Sequence, residues 1–224
     1  MADGDALIMP QKELVWILDR INERLPNLQR VGIYGNTKAV LRKSLEELVE
    51  LKEKKLGILY YGLETGDDVT REMNRKGSKS ADAIKAGIHV KNAGIKLSIT
   101  IMLGLGGKER SYEHASETGK VLSKIDPDYV GALTTMIVPD THLHSRLEAS
   151  EFELPGVFEL LAELREIIYQ SNFTSCLFFS NHASNYLPIK ARLPREKEET
   201  LSLIDSVINE GDRGSLRPEF LRGL

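Results

Sequence analysis

The 224-residue chain contains a single cysteine, Cys176, which excludes an internal disulfide and any metal centre built from several cysteines of these residues alone. It has little charge imbalance: 30 Lys plus Arg stand against 33 Asp plus Glu, a net charge of −3. That balance excludes a general nucleic-acid coat and leaves room for a local RNA or phosphate contact. No apolar run reaches the ~20 residues that a membrane span requires. The opening Met-Ala-Asp-Gly-Asp lacks the basic and apolar regions of a secretory signal, and a cytoplasmic protein is the expectation. Low-complexity segments and interdomain linkers are also missing, and the length suits one well-buried domain better than two.

What is present is a regular alternation of short apolar runs and amphipathic stretches. The stretch Leu97 to Glu109 is the clearest: Leu-Ser-Ile-Thr-Ile-Met-Leu predicts a strand buried on both faces. It breaks into Gly104, Gly106 and Gly107, and a helical pattern begins at Ser111. Further strands are expected at Arg30–Gly35, Leu56–Glu64, Asp128–Val138 and, last, Thr174–Ser180. Helices are expected at Gln11–Leu25, Lys38–Lys54 in two pieces, Asp67–Asn74, Ser80–Asn92, Ser111–Lys124, Gly156–Tyr169 and Arg195–Asn209. Ser44, with Glu47 three residues on, forms the signature of a capped helix start. Strands separated by helices predict a parallel sheet with right-handed crossovers, a (β/α) barrel or part of one. Asp3-Gly4-Asp5 takes the place of a strand-to-helix loop with almost no strand ahead of it, so the sheet is expected to lack its first strand or strands. Such an edge would be unpaired and apolar.

In such folds the carboxyl ends of the strands form the ligand rim. Asp3 and Asp5 flank a glycine there, either to accept from an ammonium group or as a solvated turn. Glu64 ends a buried strand, where a charge is functional or ion-paired. Lys76, beside Arg75, supplies the opposite charge or caps a helix C-terminus. The Gly104–Gly107 loop offers backbone amides to a phosphate but matches neither the dinucleotide nor the nucleoside-triphosphate pattern. His142 and His144 lack a third ligand and read as surface residues. Cys176 reads as a buried inert thiol. The run Ser180–Pro188 is polar at a strand end; Asn181, His182 and Asn185 are candidate substrate contacts, with a hydrogen-bonded packing loop as the other reading.

Taken together, Asp3-Gly4-Asp5, Tyr60-Tyr61-Gly62-Leu63-Glu64-Thr65-Gly66, Met73-Asn74-Arg75-Lys76-Gly77, Leu103-Gly104-Leu105-Gly106-Gly107-Lys108-Glu109 and Val138-Pro139-Asp140-Thr141 resemble the radical S-adenosylmethionine (radical SAM) family. The resemblance is to members akin to the oxygen-independent coproporphyrinogen oxidases and the tRNA methylthiotransferases, and it spans nearly the whole chain. It implies a partial TIM-like barrel over about residues 1–180, with 181–224 as a C-terminal loop and helix extension. It also implies S-adenosylmethionine as cofactor, with Asp3, Gly4 and Asp5 at the methionine amino group. Glu64 would meet the ribose or methionine part, and Lys76 the carboxylate in place of an arginine's bidentate fork. Thr100 would bond the ribose more weakly than the acid some relatives carry. Ile101 and Gly104 would lie along the adenine, with Met136 and Ile137 at its edge. Tyr34 replaces a glutamate of some relatives.

The same resemblance implies a four-iron four-sulfur cluster, reduced by ferredoxin or flavodoxin, and radical formation followed by hydrogen abstraction from a substrate the sequence does not identify. The Cys-x-x-x-Cys-x-x-Cys that would hold the cluster is absent, and three thiolates are needed. The expectation is a truncated version of a longer enzyme, inactive alone. The competing readings are a non-catalytic binding or regulatory barrel, and a phosphate-binding barrel enzyme using Gly104–Gly107 and Lys108.

Overall fold

Local chemistry sets the element boundaries. Ser44 accepts from the backbone N–H of Glu47 while the Glu47 carboxylate accepts from the N–H of Ser44 (3.2 and 2.8 Å), closing the capping box that starts the helix Leu45–Glu53. Asp67 does the same service for a short helix, its side chain accepting from Thr70 N–H at 2.9 Å. The computed structural model describes residues 4–223. Asp3 therefore lies outside the described residues.

The elements in chain order are α1 (Gln11–Arg24), β1 (Val31–Gly35), α2 (Thr37–Leu41), α3 (Leu45–Glu53), β2 (Leu56–Glu64), α4 (Asp68–Met73), α5 (Ser80–Asn92), β3 (Lys96–Leu103), α6 (Ser111–Ile125), β4 (Tyr129–Thr134), α7 (His142–Glu148), α8 (Val157–Gln170), β5 (Cys176–Phe179), β6 (Lys190–Leu193) and α9 (Lys197–Glu210). The six strands form one sheet in the order β1-β2-β3-β4-β5-β6. Strands β1 to β5 are parallel, each beside its predecessor, as in an arc of a (β/α) barrel that does not close. Strand β6 is antiparallel to β5.

Three expectations are corrected. Thr174–Ser180 is not the last strand: Lys190–Leu193 adds a sixth, and the sheet is not wholly parallel. Strand β4 ends at Thr134 rather than Val138, which places Met136 and Ile137 beyond it. And β3 is buried on one face only. Leu97, Ile99, Ile101 and Leu103 are buried, whereas Ser98, Thr100 and Met102 are half-exposed.

The same alternation runs through β1, β2 and β4, so the arc has two unlike faces. The outer face (Ile33, Leu59, Tyr61, Ile99, Val130, Phe178) joins the helices in one continuous core. The inner face carries Tyr34, Tyr60, Gly62, Ser98, Thr100, Met102, Gly131, Leu133 and Phe179, all at least partly exposed. No helix among the described residues is long and apolar enough to cross a membrane.

Candidate functional site

One register row crosses the inner face: Gly62 pairs with Thr100, Thr100 with Gly131, and Gly131 with Phe179. Two glycines flanking a threonine leave the floor of the arc bare. A Cβ built on Gly131 meets nothing within 4 Å. The row below holds Tyr34 and Tyr60, stacked with centroids 5.2 Å apart. Thr100 thus stands at the centre of an open cradle, its hydroxyl on the inner side.

Above Gly62 the pairing slips, with Leu63 and Glu64 together facing Ile101. This bulge ends β2 and carries Glu64 into the left-handed region at φ 65°. The consequence is visible at Gly62: a Cβ there would sit 3.4 Å from Glu64 Oε1. The carboxylate is folded back over the glycine, and it forms an ion pair with Lys76. A non-glycine residue at positive φ costs of the order of 1 kcal/mol. Glu64→Gly is expected to be about 1 kcal/mol more stable than Glu64→Ala by urea denaturation, since both lose the ion pair and only glycine relieves the backbone. Equal stability of the two variants would contradict a strained Glu64.

Buried polar chemistry holds Glu64 and Lys76 in place. Arg71, buried, donates to the carbonyls of Leu63 (3.0 Å), Thr65 (2.8 Å) and Ser78 (2.8 Å) and to Ser78 Oγ (2.8 Å). It ties the carboxyl end of β2 to the loop carrying Arg75, Lys76 and Gly77. The Lys38 ammonium lies 3.0 Å from the Cβ position of Gly77. A cleft of about 310 Å³ opens among Asn36, Lys38, Gly62, Glu64, Arg75 and Lys76. At its β1 side, Asn36 donates to Asp5 Oδ2 at 2.5 Å. The other oxygen, Asp5 Oδ1, is buried without a hydrogen-bond partner. Burial raises the Asp5 carboxyl above the usual range, partly offset by Asn36 and Arg42. Gly4, in the left-handed region, precedes it.

The remaining sequence candidates divide. Ile101 is fully buried on the outer face, so it could meet a ligand only through its backbone. Met136 and Ile137 are half-exposed in the segment after β4. Gly104 turns at φ 80°, with Leu160 and Leu154 occupying the space a Cβ would need. Its N–H is already donated, at 2.6 Å, to Glu163 Oε2 of α8. The Gly107 and Lys108 amides are likewise spent, on Gly104 O and Glu153 O, and the Lys108 ammonium pairs with Glu153. This overturns the use of that loop as a phosphate cradle, because an internal carboxylate stands where the phosphate would. In the β5–β6 loop Asn181 is exposed, His182 half-exposed and Asn185 buried. The Asn185 amide donates to the carbonyls of Ala132 and Ser180. His142 and His144 lie on α7, with His144 Nδ1 3.8 Å from Glu148.

A second network, invisible in the sequence, braces the loop after Glu64 against α6. Buried His114 meets Met102 O through Nε2 (3.0 Å) and Thr65 Oγ1 through Nδ1 (2.7 Å). Since a carbonyl only accepts, Nε2 carries the proton and the Thr65 hydroxyl donates to Nδ1. Burial lowers His114 to about 4, so the ring is neutral. Burial alone would raise Asp67, but the Arg110 guanidinium (3.0 Å to each oxygen) and Thr70 bring it below its ordinary value. Glu163 accepts from Ser111 Oγ at 2.8 Å as well as from Gly104, and its burial pushes it up to about 7.

The open parallel arc, with its bare inner face and charged rim, is a radical SAM-like fold. Three solved structures share it. Elp3 from the archaeon Methanocaldococcus infernus, with an N-terminal deletion, is 15% identical at a TM-score of 0.60, over 93% of this chain and 53% of that one. Methylornithine synthase (PylB) is 19% identical at 0.52, over 72% and 44%. Coproporphyrinogen III oxidase (HemN) from Escherichia coli, a radical SAM enzyme, is 15% identical at 0.57, over 74% and 38%. The chain thus spans about half the length, or less, of the structures it matches. No protein-family model matches the sequence, and no curated protein matches it.

Proposed function

We propose that the inner face binds S-adenosylmethionine, as the adenosyl and amino-acid site of a radical SAM enzyme. The observation that carries this reading is the Glu64–Lys76 pair, held over Gly62 beside the open Thr100–Gly131 floor. An α-amino acid is a zwitterion. A fixed carboxylate and ammonium side by side complement its two charges, and the orphaned Asp5 Oδ1 offers the ammonium a further acceptor. Thr100 stands where a ribose hydroxyl would meet it, and the backbone of Ile101, Met136 and Ile137 offers hydrogen-bond groups to an adenine edge. Gly62 and Gly131 supply the space.

The residues do not fit the four-iron four-sulfur cluster. Cys176 is buried on the outer face, and burial pushes its thiol up to about 12, far from a ligating thiolate. Among the described residues no group of three or more His, Cys, Asp and Glu could hold a metal ion. Any such cluster would need cysteines other than the one in these 224 residues, and no radical step is derived from them. What the residues perform is recognition: Glu64, Lys76 and Asp5 orient a zwitterion on a preformed floor.

Equilibrium dialysis with S-adenosylhomocysteine tests the assignment. Glu64→Ala and Lys76→Ala are each expected to weaken binding about tenfold or more, the worth of a charge-assisted hydrogen bond of about 1.5–3 kcal/mol. Together they should weaken it by less than the product, since they act as a pair. Unchanged affinity in Glu64→Ala would sink the rim assignment.

A further inference from the structure

We infer that residues 213–222 are a strap that fixes the β5–β6 loop and presents His182 as a donor-only imidazole at the rim, for an acceptor oxygen of the substrate. The inference rests on the inner-face reading for the identity of the rim, but not for the geometry of the loop.

Within the loop between Ser180 and Leu187, Asn185 N–H donates to His182 O at 3.1 Å, the Asn185 side-chain amide to Ser180 O at 2.9 Å, and Ser180 Oγ to Leu187 O at 2.8 Å, besides the His182–Ser184 contacts described below. The strap takes most of its other carbonyls. Arg217 donates from one guanidinium nitrogen to His182 O (2.6 Å) and Asn185 O (2.8 Å), and its backbone N–H donates to Tyr186 O at 2.9 Å. Arg222 donates to Ser184 O at 2.8 Å, and its guanidinium carbon lies 3.9 Å from the centre of the Tyr186 ring. Glu219 closes the contact by pairing with Arg222 and accepting from the Tyr186 hydroxyl at 2.7 Å. Two arginines and an acid thus hold the three consecutive positions 184 to 186 and their neighbour His182 in one conformation. The Arg222 side chain is only 3% exposed, so its charge is committed to this role rather than to solvent.

On the other side the loop is stapled to β4. Thr134 N–H donates to Ser184 Oγ at 3.0 Å, and Thr134 Oγ1 donates to Asn185 Oδ1 at 2.9 Å. Because Ser184 Oγ already accepts from Thr134, its proton is available to His182 Nδ1, 2.9 Å away. Ser184 N–H also reaches that nitrogen, at 3.2 Å. Two donors converge on Nδ1, so the ring proton resides on Nε2. Nε2 has no protein partner among the described residues, and the ring is half-exposed. A neutral imidazole locked in this way can donate but not accept at its free nitrogen. Its ligand must therefore bring an acceptor: a carboxylate, carbonyl or phosphate oxygen. Strand β5 lies three strand spacings from β2, about 14 Å across the rim. That separation places His182 beyond the amino-acid site, where a second molecule would be met.

The test is nitrogen-15 spectroscopy of the full chain labelled at histidine, without ligand. His182 is expected as a single Nε2–H tautomer. In the Arg217→Ala, Arg222→Ala double variant it should become a mixture of tautomers, and the Thr134 amide should exchange about tenfold faster. Should that variant fail to fold, Arg222→Lys keeps the charge but loses the planar stacking and is expected to shift the tautomer balance in the same direction. An Nδ1–H tautomer in the wild type, or an unchanged spectrum in a folded strap variant, would overturn the inference. S-adenosylhomocysteine binding, measured separately through Glu64, reports on the inner-face reading; loss of one result leaves the other standing.

Discussion

Gly66→Ala is expected to cost about 4 kcal/mol, or to prevent folding. A Cβ at this position would lie 2.5 Å from Glu117 O, 2.8 Å from Glu117 C and 2.7 Å from Thr118 Cα. All three are backbone atoms in the middle of α6, so nothing can rotate aside. The loop would have to lift off the helix and break the bond from Gly66 N–H to Thr118 Oγ1 (2.9 Å). The bond between Thr65 and buried His114 would go with it, leaving an imidazole nitrogen unsatisfied. Domains of this kind hold only 5–15 kcal/mol in total, so the loss is a large share. Urea denaturation measures it, and a change under 1 kcal/mol would contradict the close approach. Any variant that folds should also bind S-adenosylhomocysteine more weakly, because Glu64 is two residues from the displaced glycine.

Glu163→Gln is expected to change how stability depends on pH. Burial raises the Glu163 carboxyl from 4.5 to about 7, so between those values the folded state holds a proton that the unfolded chain has released. Stability from this group is therefore present at low pH and is lost as pH rises through 7, by up to roughly 3 kcal/mol. His114 runs the opposite way. Its value falls from 6.5 to about 4, so the folded state binds fewer protons in that window and stability rises with pH until 6.5. The groups facing Glu163 are His114, 3.9 Å away on α6, Ser111 and the Gly104 amide, with Glu159 on its own helix adding to the upward shift. The two slopes largely cancel below 6.5, and Glu163 acts alone above it. The wild type should stay level up to about pH 6.5 and then fall, whereas Glu163→Gln, whose amide oxygen still accepts from Gly104, should rise with His114 alone to about pH 6.5, level off and exceed the wild type at pH 8. Parallel profiles for the two proteins would refute the account of this carboxyl.

Much of the fold was legible because it is set locally. Strand β2 and helix α5 fall on their expected residues, and the Ser44–Glu47 box formed as its spacing predicts. What was misread has a physical reason in each case. The sidedness of β3 is written in the alternation of Leu97, Ile99, Ile101 and Leu103 with Ser98, Thr100 and Met102, yet β-branched Thr100 and apolar Met102 made it look buried throughout. Strand β6 escaped because Lys-Ala-Arg-Leu is a four-residue alternation between Pro188 and Pro194, stable only through its antiparallel register with β5. Strand β4 stops at Thr134 because its last partner, Leu103, ends β3, and its pairing with β5 has already stopped at Gly131, so the apolar residues after Thr134 leave the sheet. The rim behaved similarly. Glu64 and Lys76 were visible as charges at element ends, but Arg71, His114 and Glu163 act through partners 6 to 59 residues away, which no local pattern encodes.

The central claim is that this arc recognises an adenosyl amino acid rather than a phosphate. Calorimetric titration of the chain with S-adenosylhomocysteine and, in a parallel cell, with a sugar phosphate tests it most directly. The account predicts one site for S-adenosylhomocysteine and little heat from the sugar phosphate, because the Gly104 amide is already occupied by Glu163. Saturable binding of the sugar phosphate with none of S-adenosylhomocysteine would contradict it.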